Sequence, residues 1–201
     1  MMDNAIWNLA IQAFHTEAEC LLSSYKLINK NEFIKAVDAL AKATRIAASG
    51  CGHTGIACQH FAHLMCCIER PARFIYPSEA VHGATGYLQK GDVMLLASRG
   101  GKTSELLPIQ RICKEKGVTV IAVTENADSP LAKDADILLQ IYITKEVDKF
   151  NCQGTASNTV INCVFDALQT AVIEKTGYQI EKFALVHPGG AVGERLNKRQ
   201  M

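Results

Sequence analysis

The chain has 201 residues, 48% of them apolar and 20% charged, and its 21 basic against 20 acidic side chains leave a formal net charge of +1. A chain of this length buries roughly 70% of its unfolded surface without disulfide or metal staples, and its charge balance excludes a protein devoted to nucleic acid or to an anionic membrane. No basic stretch leads into an apolar run at the start, no apolar run reaches transmembrane length, and the eight cysteines lack the paired spacing of a secreted framework, so free thiols and a cytoplasmic protein are expected.

Residues 1–43 read as helical. Ile6, Leu9, Ala10, Ala13, Phe14, Ala18, Leu21, Leu22 and Tyr25 recur at three- and four-residue steps, which predicts one long amphipathic helix. Asn31 is the expected cap of a second helix carrying Phe33, Ile34, Val37 and Leu40. From residue 44 the pattern changes. Short runs rich in small and β-branched residues at 45–49, 72–76, 92–98, 118–124 and 136–141 each lead into a glycine- or hydroxyl-rich loop and then a helix. The runs at 93–97 and 118–123 are almost wholly apolar, as strands covered on both faces of a parallel sheet must be. The fold class is therefore α/β, a doubly wound parallel sheet. Thr155 or Ser157 opens a last long helix through about Lys175, Gly177 ends it, and a tail follows with His187-Pro188-Gly189-Gly190 and a short basic terminus. No linker or repeat interrupts the chain, so residues 1–201 form a single domain.

Ligands of open parallel sheets bind beyond the carboxyl ends of the strands. The loop after the first strand reads Ser49-Gly50-Cys51-Gly52-His53-Thr54-Gly55, a GxGxxG pattern that, with Glu79 after the next strand, raises a dinucleotide reading. The alternative is a tight turn that needs glycine for its backbone. The loop after the third strand, Ser98-Arg99-Gly100-Gly101-Lys102-Thr103-Ser104-Glu105, precedes a helix at 106–116. A phosphate monoester needs several converging donors, which Ser98, Thr103, Ser104, the amides around Gly100 and Gly101, and the Lys102 cation can supply. The alternative is that Thr103 or Ser104 simply caps the helix. His53, Cys58, His60, His63, Cys66 and Cys67 crowd one helix, but only His63 and Cys67 among them fit one metal, so no metal is expected.

SRGGKTSE resembles the SxSGxTxE phosphosugar loop of sugar isomerase (SIS) domains. SGCGHTG, YPSEAVHG, Lys145-Glu146, GTASNTVINCVFDAL and FALVHPGGAVGERL are similar to the arabinose-5-phosphate isomerase branch of that family, over about residues 45–196. The resemblance implies a five-stranded parallel sheet between helices, a flavodoxin- or Rossmann-like arrangement, usually assembled as a homotetramer with active sites at subunit contacts. The long N-terminal helix would then be a contact surface. Members of this branch often carry a pair of C-terminal CBS domains, so the chain resembles a short form. The implied reaction interconverts an aldose and a ketose phosphate through a cis-enediol and needs no cofactor. Glu105, Glu146 and His187 match active-site positions and His82 a further histidine position. One of the two glutamates would be the enediol base, with His187 assisting ring opening. Ser49, Cys51, Gly52 and His53 of the first loop, with Ser98, Gly100, Gly101, Lys102, Thr103 and Ser104 of the second, would bind the substrate.

One position departs from the pattern. The branch carries lysine in its first loop, as GKSGH, and this chain has Gly50 there. Lys102, where the branch usually has an acid, can bring the charge from the facing loop. Two functions follow as expectations: a phosphosugar aldose–ketose isomerase, or a non-catalytic sugar-phosphate sensor. The partner of either is a small sugar phosphate, with no nucleic acid and no membrane.

Overall fold

The computed structural model describes residues 2–197, and the last basic residues expected at the terminus lie outside them. Two helices come first, α1 (Met2–Leu27) and α2 (Lys30–Lys42). Asn29, not Asn31, caps α2: its side-chain oxygen accepts from the amides of Asn31 and Glu32 at 2.9 and 3.2 Å, so the helix begins two residues earlier than its apolar period suggests.

Strands and helices then alternate: β1 (Ile46–Ser49), α3 (Gly52–Cys67), β2 (Ala72–Phe74), α4 (Pro77–Ala80), a 3-10 turn at Ala84–Tyr87, β3 (Val93–Ala97), α5 (Leu107–Lys116), β4 (Thr119–Thr124), α6 (Pro130–Lys133) and β5 (Ile137–Gln140). All pairings are parallel in the order β2-β1-β3-β4-β5, the doubly wound five-stranded sheet expected. The strands are shorter than their sequence runs. β2 stops at Phe74 because Pro77 opens α4 and Tyr76 is already its cap.

Alternate strand residues build two cores. Ile46, Ala48, Leu95, Val123 and Leu139 face α2, α3 and the long α7 (Ala156–Thr176), with the rings of Phe61 and Phe165 tilted against each other at 4.9 Å between the last two helices. Ala47, Met94, Leu96 and Ala122 face Leu106, Ile109 and Cys113 around α5. Both faces of the sheet are thus sealed, and the strand ends are left for ligands. Gly177 ends α7 with φ 63°, its amide donating to the carbonyls of Ile173 and Glu174. The tail after Gly177 forms α8 (Ile180–Val186) and α9 (Gly190–Asn197), separated at Pro188, which has no amide hydrogen to continue a helix.

Candidate functional site

In this strand order the chain reverses direction across the sheet between β1 and β3, the point where open parallel sheets leave a crevice. Ser49 pairs with Leu96, so the loops following these two strands leave side by side. Burial, and then the charge of Glu105 on the second loop, push the Cys51 thiol of the first loop up.

The second loop has the shape of an anion cradle. Ser98 and Thr103 join hydroxyls at 2.8 Å across its base, and the Gly101 amide donates to Ser98 Oγ at 3.2 Å. Gly101 has φ +66°, and a Cβ there would enter the Ser129 side chain, so only glycine lets the loop lie against α6. Among the described residues, the amides of Gly100, Lys102, Thr103 and Ser104 have no acceptor within the chain. The hydroxyls do not cap α5: its start carries no side-chain cap bond, and Ser104 Oγ donates to Glu105 Oε2 at 2.8 Å instead. Lys102 is exposed. Open amides, two paired hydroxyls and a cation are what a phosphate needs.

A third segment closes in from beyond β5. Its carboxylate, Glu146, reads from sequence as either catalytic or a solvated loop charge, and the structure buries it, its side chain only 1% exposed. Oε1 accepts from Arg99 Nη1 at 2.7 Å. Oε2 accepts from the Thr155 amide at 3.0 Å, the Thr155 hydroxyl at 3.0 Å and the Ser157 amide at 3.1 Å, at the head of α7. Burial pushes this carboxyl up, but the donors at Ser157 and Thr155 outweigh it and hold it below the ordinary carboxylate range. Arg99 spans the site, its Nε donating to Glu125 at 3.0 Å while Nη1 reaches Glu146. Gly154 packs so closely on His53 that a Cβ would stand 3.1 to 3.2 Å from its side chain, which ties this segment to the first loop as well.

A family model for the SIS domain matches residues 39–171, two-thirds of the chain and every strand of the sheet. The chain belongs to the SIS domain family. It is 37% identical to the arabinose 5-phosphate isomerase KdsD of Pseudomonas aeruginosa over 167 residues, 83% of this chain and 51% of that protein. It is 31% identical to KdsD of Francisella tularensis, over 94% of this chain and 59% of that protein. The chain thus spans between half and three-fifths of the curated relatives it matches. A Listeria monocytogenes protein solved as a proposed sugar-phosphate isomerase is 40% identical with a TM-score of 0.90, covering 94% of this chain and 100% of that one. An Escherichia coli CFT073 protein solved in complex with A5P is 28% identical with a TM-score of 0.86 over the same shares.

This SIS domain gathers most, not all, of the residues singled out in the sequence. Cys51, Gly52 and His53 open α3 beside the cradle formed by Ser98, Gly100, Gly101, Lys102, Thr103, Ser104 and Glu105, and Arg99 links that cradle to Glu146. The three glycines of the GxGxxG run have local causes: Gly52 has φ +57°, while a Cβ on Gly50 or Gly55 would press on the backbone of Thr54 or Gly50. Ser49 is fully buried and spends its hydroxyl on the Ile75 carbonyl at 2.7 Å. His82 is exposed on the turn after α4. His187 stands elsewhere, lining an apolar cavity of about 570 Å³ with His63, Cys67, Gln169, Tyr178 and Phe183. The far end of α3 is there, and ten residues of helix from His53 to His63 amount to roughly 15 Å. His63 and Cys67 touch at 3.6 Å as their spacing predicts. Arg99 reads from sequence only as part of the second loop, and Thr155 and Ser157 only as the start of the last long helix, so their part in the site is missed there. An arginine set inside a glycine–hydroxyl loop, directly after an apolar strand, was the available signal.

Proposed function

We propose that this SIS domain binds a sugar phosphate and interconverts an aldose with its ketose through a cis-enediol, arabinose 5-phosphate and ribulose 5-phosphate being the pair most like its substrates. The observation that carries the reading is the cradle of unfilled amides and hydroxyls beside two carboxylates, in a chain similar to arabinose 5-phosphate isomerases. The phosphate sits on the amides of Gly100, Lys102, Thr103 and Ser104 and on the Ser98–Thr103 hydroxyls, with Lys102 supplying the charge that Gly50 does not. One carboxylate moves a proton between C1 and C2, and His187 assists ring opening. The protein works in the cytoplasm, where its eight unpaired cysteines stay reduced.

Because His187 lies far from the cradle of its own chain, a neighbouring copy in a homotetramer delivers it. The first half of α1 supports that assembly: Ile6, Trp7, Leu9 and Phe14 are each more than 60% exposed there. The test is isotope exchange. In D2O the enzyme should place deuterium on C1 or C2 of a pentose phosphate, whereas no exchange across pentose and hexose phosphates would remove the isomerase reading. Gly50 favours one second reading, a sensor that binds without turnover, and it predicts thermal stabilisation by the same compounds with no exchange.

A further inference from the structure

The resemblance leaves the two glutamates interchangeable, whereas their surroundings are opposite. Glu146 is enclosed and its oxygens accept four hydrogen bonds, close to the capacity of a carboxylate. Two of the four come from amides at the head of α7, whose own cap residue, Thr155, supplies no side-chain cap bond. Glu146 is therefore the cap, an anion at the positive end of a 21-residue helix that lies against α1, α2 and α3. A proton arriving on Oε2 would turn an acceptor of three donors into a fourth donor. A general base must reach the carbon acid and hold the proton it takes, and Glu146 has neither the exposure nor a free lone pair on that oxygen. Glu105 is exposed, carries a bond from the Ser104 hydroxyl, and adjoins the last open amide of the cradle.

We infer that Glu146 is a positioning residue, fixed by Arg99 and clamped over the start of α7, and that Glu105 alone carries the proton of the enediol step. The second half rests on the isomerase reading and the first does not. In the aldose-to-ketose direction the Glu105 carboxylate takes the C2 proton, the C–H pair becomes the C1–C2 double bond, and the C1 carbonyl pair moves onto O1, which gains a proton. The enediol then loses the O2 proton as the C2 carbonyl forms, and C1 recovers a proton from the Glu105 carboxyl. The O2 proton balances the one gained by O1, so no outside oxidant or reductant enters. Arg99 joins the two halves: it leaves the cradle loop and grips Glu146, so the phosphate seat and the head of α7 keep one geometry.

Glu105→Gln, Glu146→Gln, Arg99→Met and Arg99→Lys in the full chain separate these roles. Glu105→Gln should melt within about 2 °C of wild type and still be stabilised by a pentose phosphate, while exchange at C1/C2 falls at least ~100-fold. Glu146→Gln should lower the melting temperature by roughly 5–15 °C and flatten the loss of stability in acid, yet keep exchange per folded molecule within about tenfold. The sign follows from the depressed carboxyl: its stabilisation is complete above the ordinary carboxylate range and disappears as pH falls through the folded value. Arg99→Met should reproduce the melting loss and Arg99→Lys recover part of it. If Glu146→Gln does not fold, the anchor role stands and Arg99→Met carries the exchange measurement. Unchanged melting in Glu146→Gln overturns the anchor, and wild-type exchange in Glu105→Gln overturns the base. Should the wild type itself show no exchange, the base assignment falls with the isomerase reading, and the melting curves still decide the anchor.

Discussion

Gly101 is the position where fold and cradle are most tightly joined, and Gly101→Ala tests that joint. At φ +66° a side chain costs about 1–2 kcal/mol before any contact is made. The added Cβ would also lie inside the Ser129 side chain and 2.9 Å from Thr124 Oγ1, and such overpacking costs about 1–3 kcal/mol. The sum is about 2–5 kcal/mol, and a domain of this size shifts by roughly 2–4 °C per kcal/mol, so thermal unfolding should fall by about 4–20 °C. Gly100 is the matched control: it lies outside the left-handed region, and a Cβ there meets nothing within 4 Å. Gly100→Ala should therefore melt within about 2 °C of wild type. Both variants are to be melted with and without a pentose phosphate, and Gly101→Ala should also lose the stabilisation by ligand. A Gly101→Ala protein that melts with Gly100→Ala and keeps its ligand shift would refute the claim that this turn holds the cradle.

Lys102 is exposed, and no ion pair is found for it among the described residues, so Lys102→Ala should abolish thermal stabilisation by sugar phosphates while leaving the unliganded melting temperature unchanged; equal stabilisation of the variant would misplace the phosphate. Burial pushes the Cys113 thiol up to about 12 and holds Cys58 higher than an ordinary thiol, whereas Cys66, Cys152 and Cys163 are exposed. A thiol reagent should label those three in the native protein and reach Cys58 and Cys113 only after unfolding, as peptide mapping will show. Trp7, the chain's one tryptophan, is 64% exposed on α1. If a second copy covers that face, its emission should move to the blue and resist iodide quenching as concentration rises; the same spectrum at every concentration would argue against α1 as the contact.

The sheet was legible because period and composition act locally. Strands sealed on both faces must be apolar, as all of β3 and residues 120–123 of β4 are, and glycines mark the loops that follow β1 and β3. The cradle was legible for the same reason, its residues being contiguous from Ser98 to Glu105. The Glu146 clamp was not. Its partners come from positions 99, 155 and 157, brought together by the sheet, and a carboxylate buried by tertiary contacts has the same sequence signature as one in a solvated loop. Nor was the separation of His187 from the cradle visible, since the chain folds α8 back along α7 and the far end of α3.

Charge at the site follows from these distances. Among the described residues Arg99 is the one cation paired with both Glu125 and Glu146, at 3.0 and 2.7 Å. One positive charge against two negative ones leaves nothing for a phosphate dianion, and a desolvated anion nearby repels it. The cradle must then draw its attraction from neutral donors and from a cation outside the clamp, which on the second loop is Lys102. A lysine at position 50 would meet Cys58 and the backbone of Thr54 if it kept the present turn, where Gly50 leaves 3.1 Å for a Cβ. Moving the cation across the crevice to Lys102 therefore suits a first loop that packs this tightly, and restoring it by Gly50→Lys should strain the turn without rescuing Lys102→Ala.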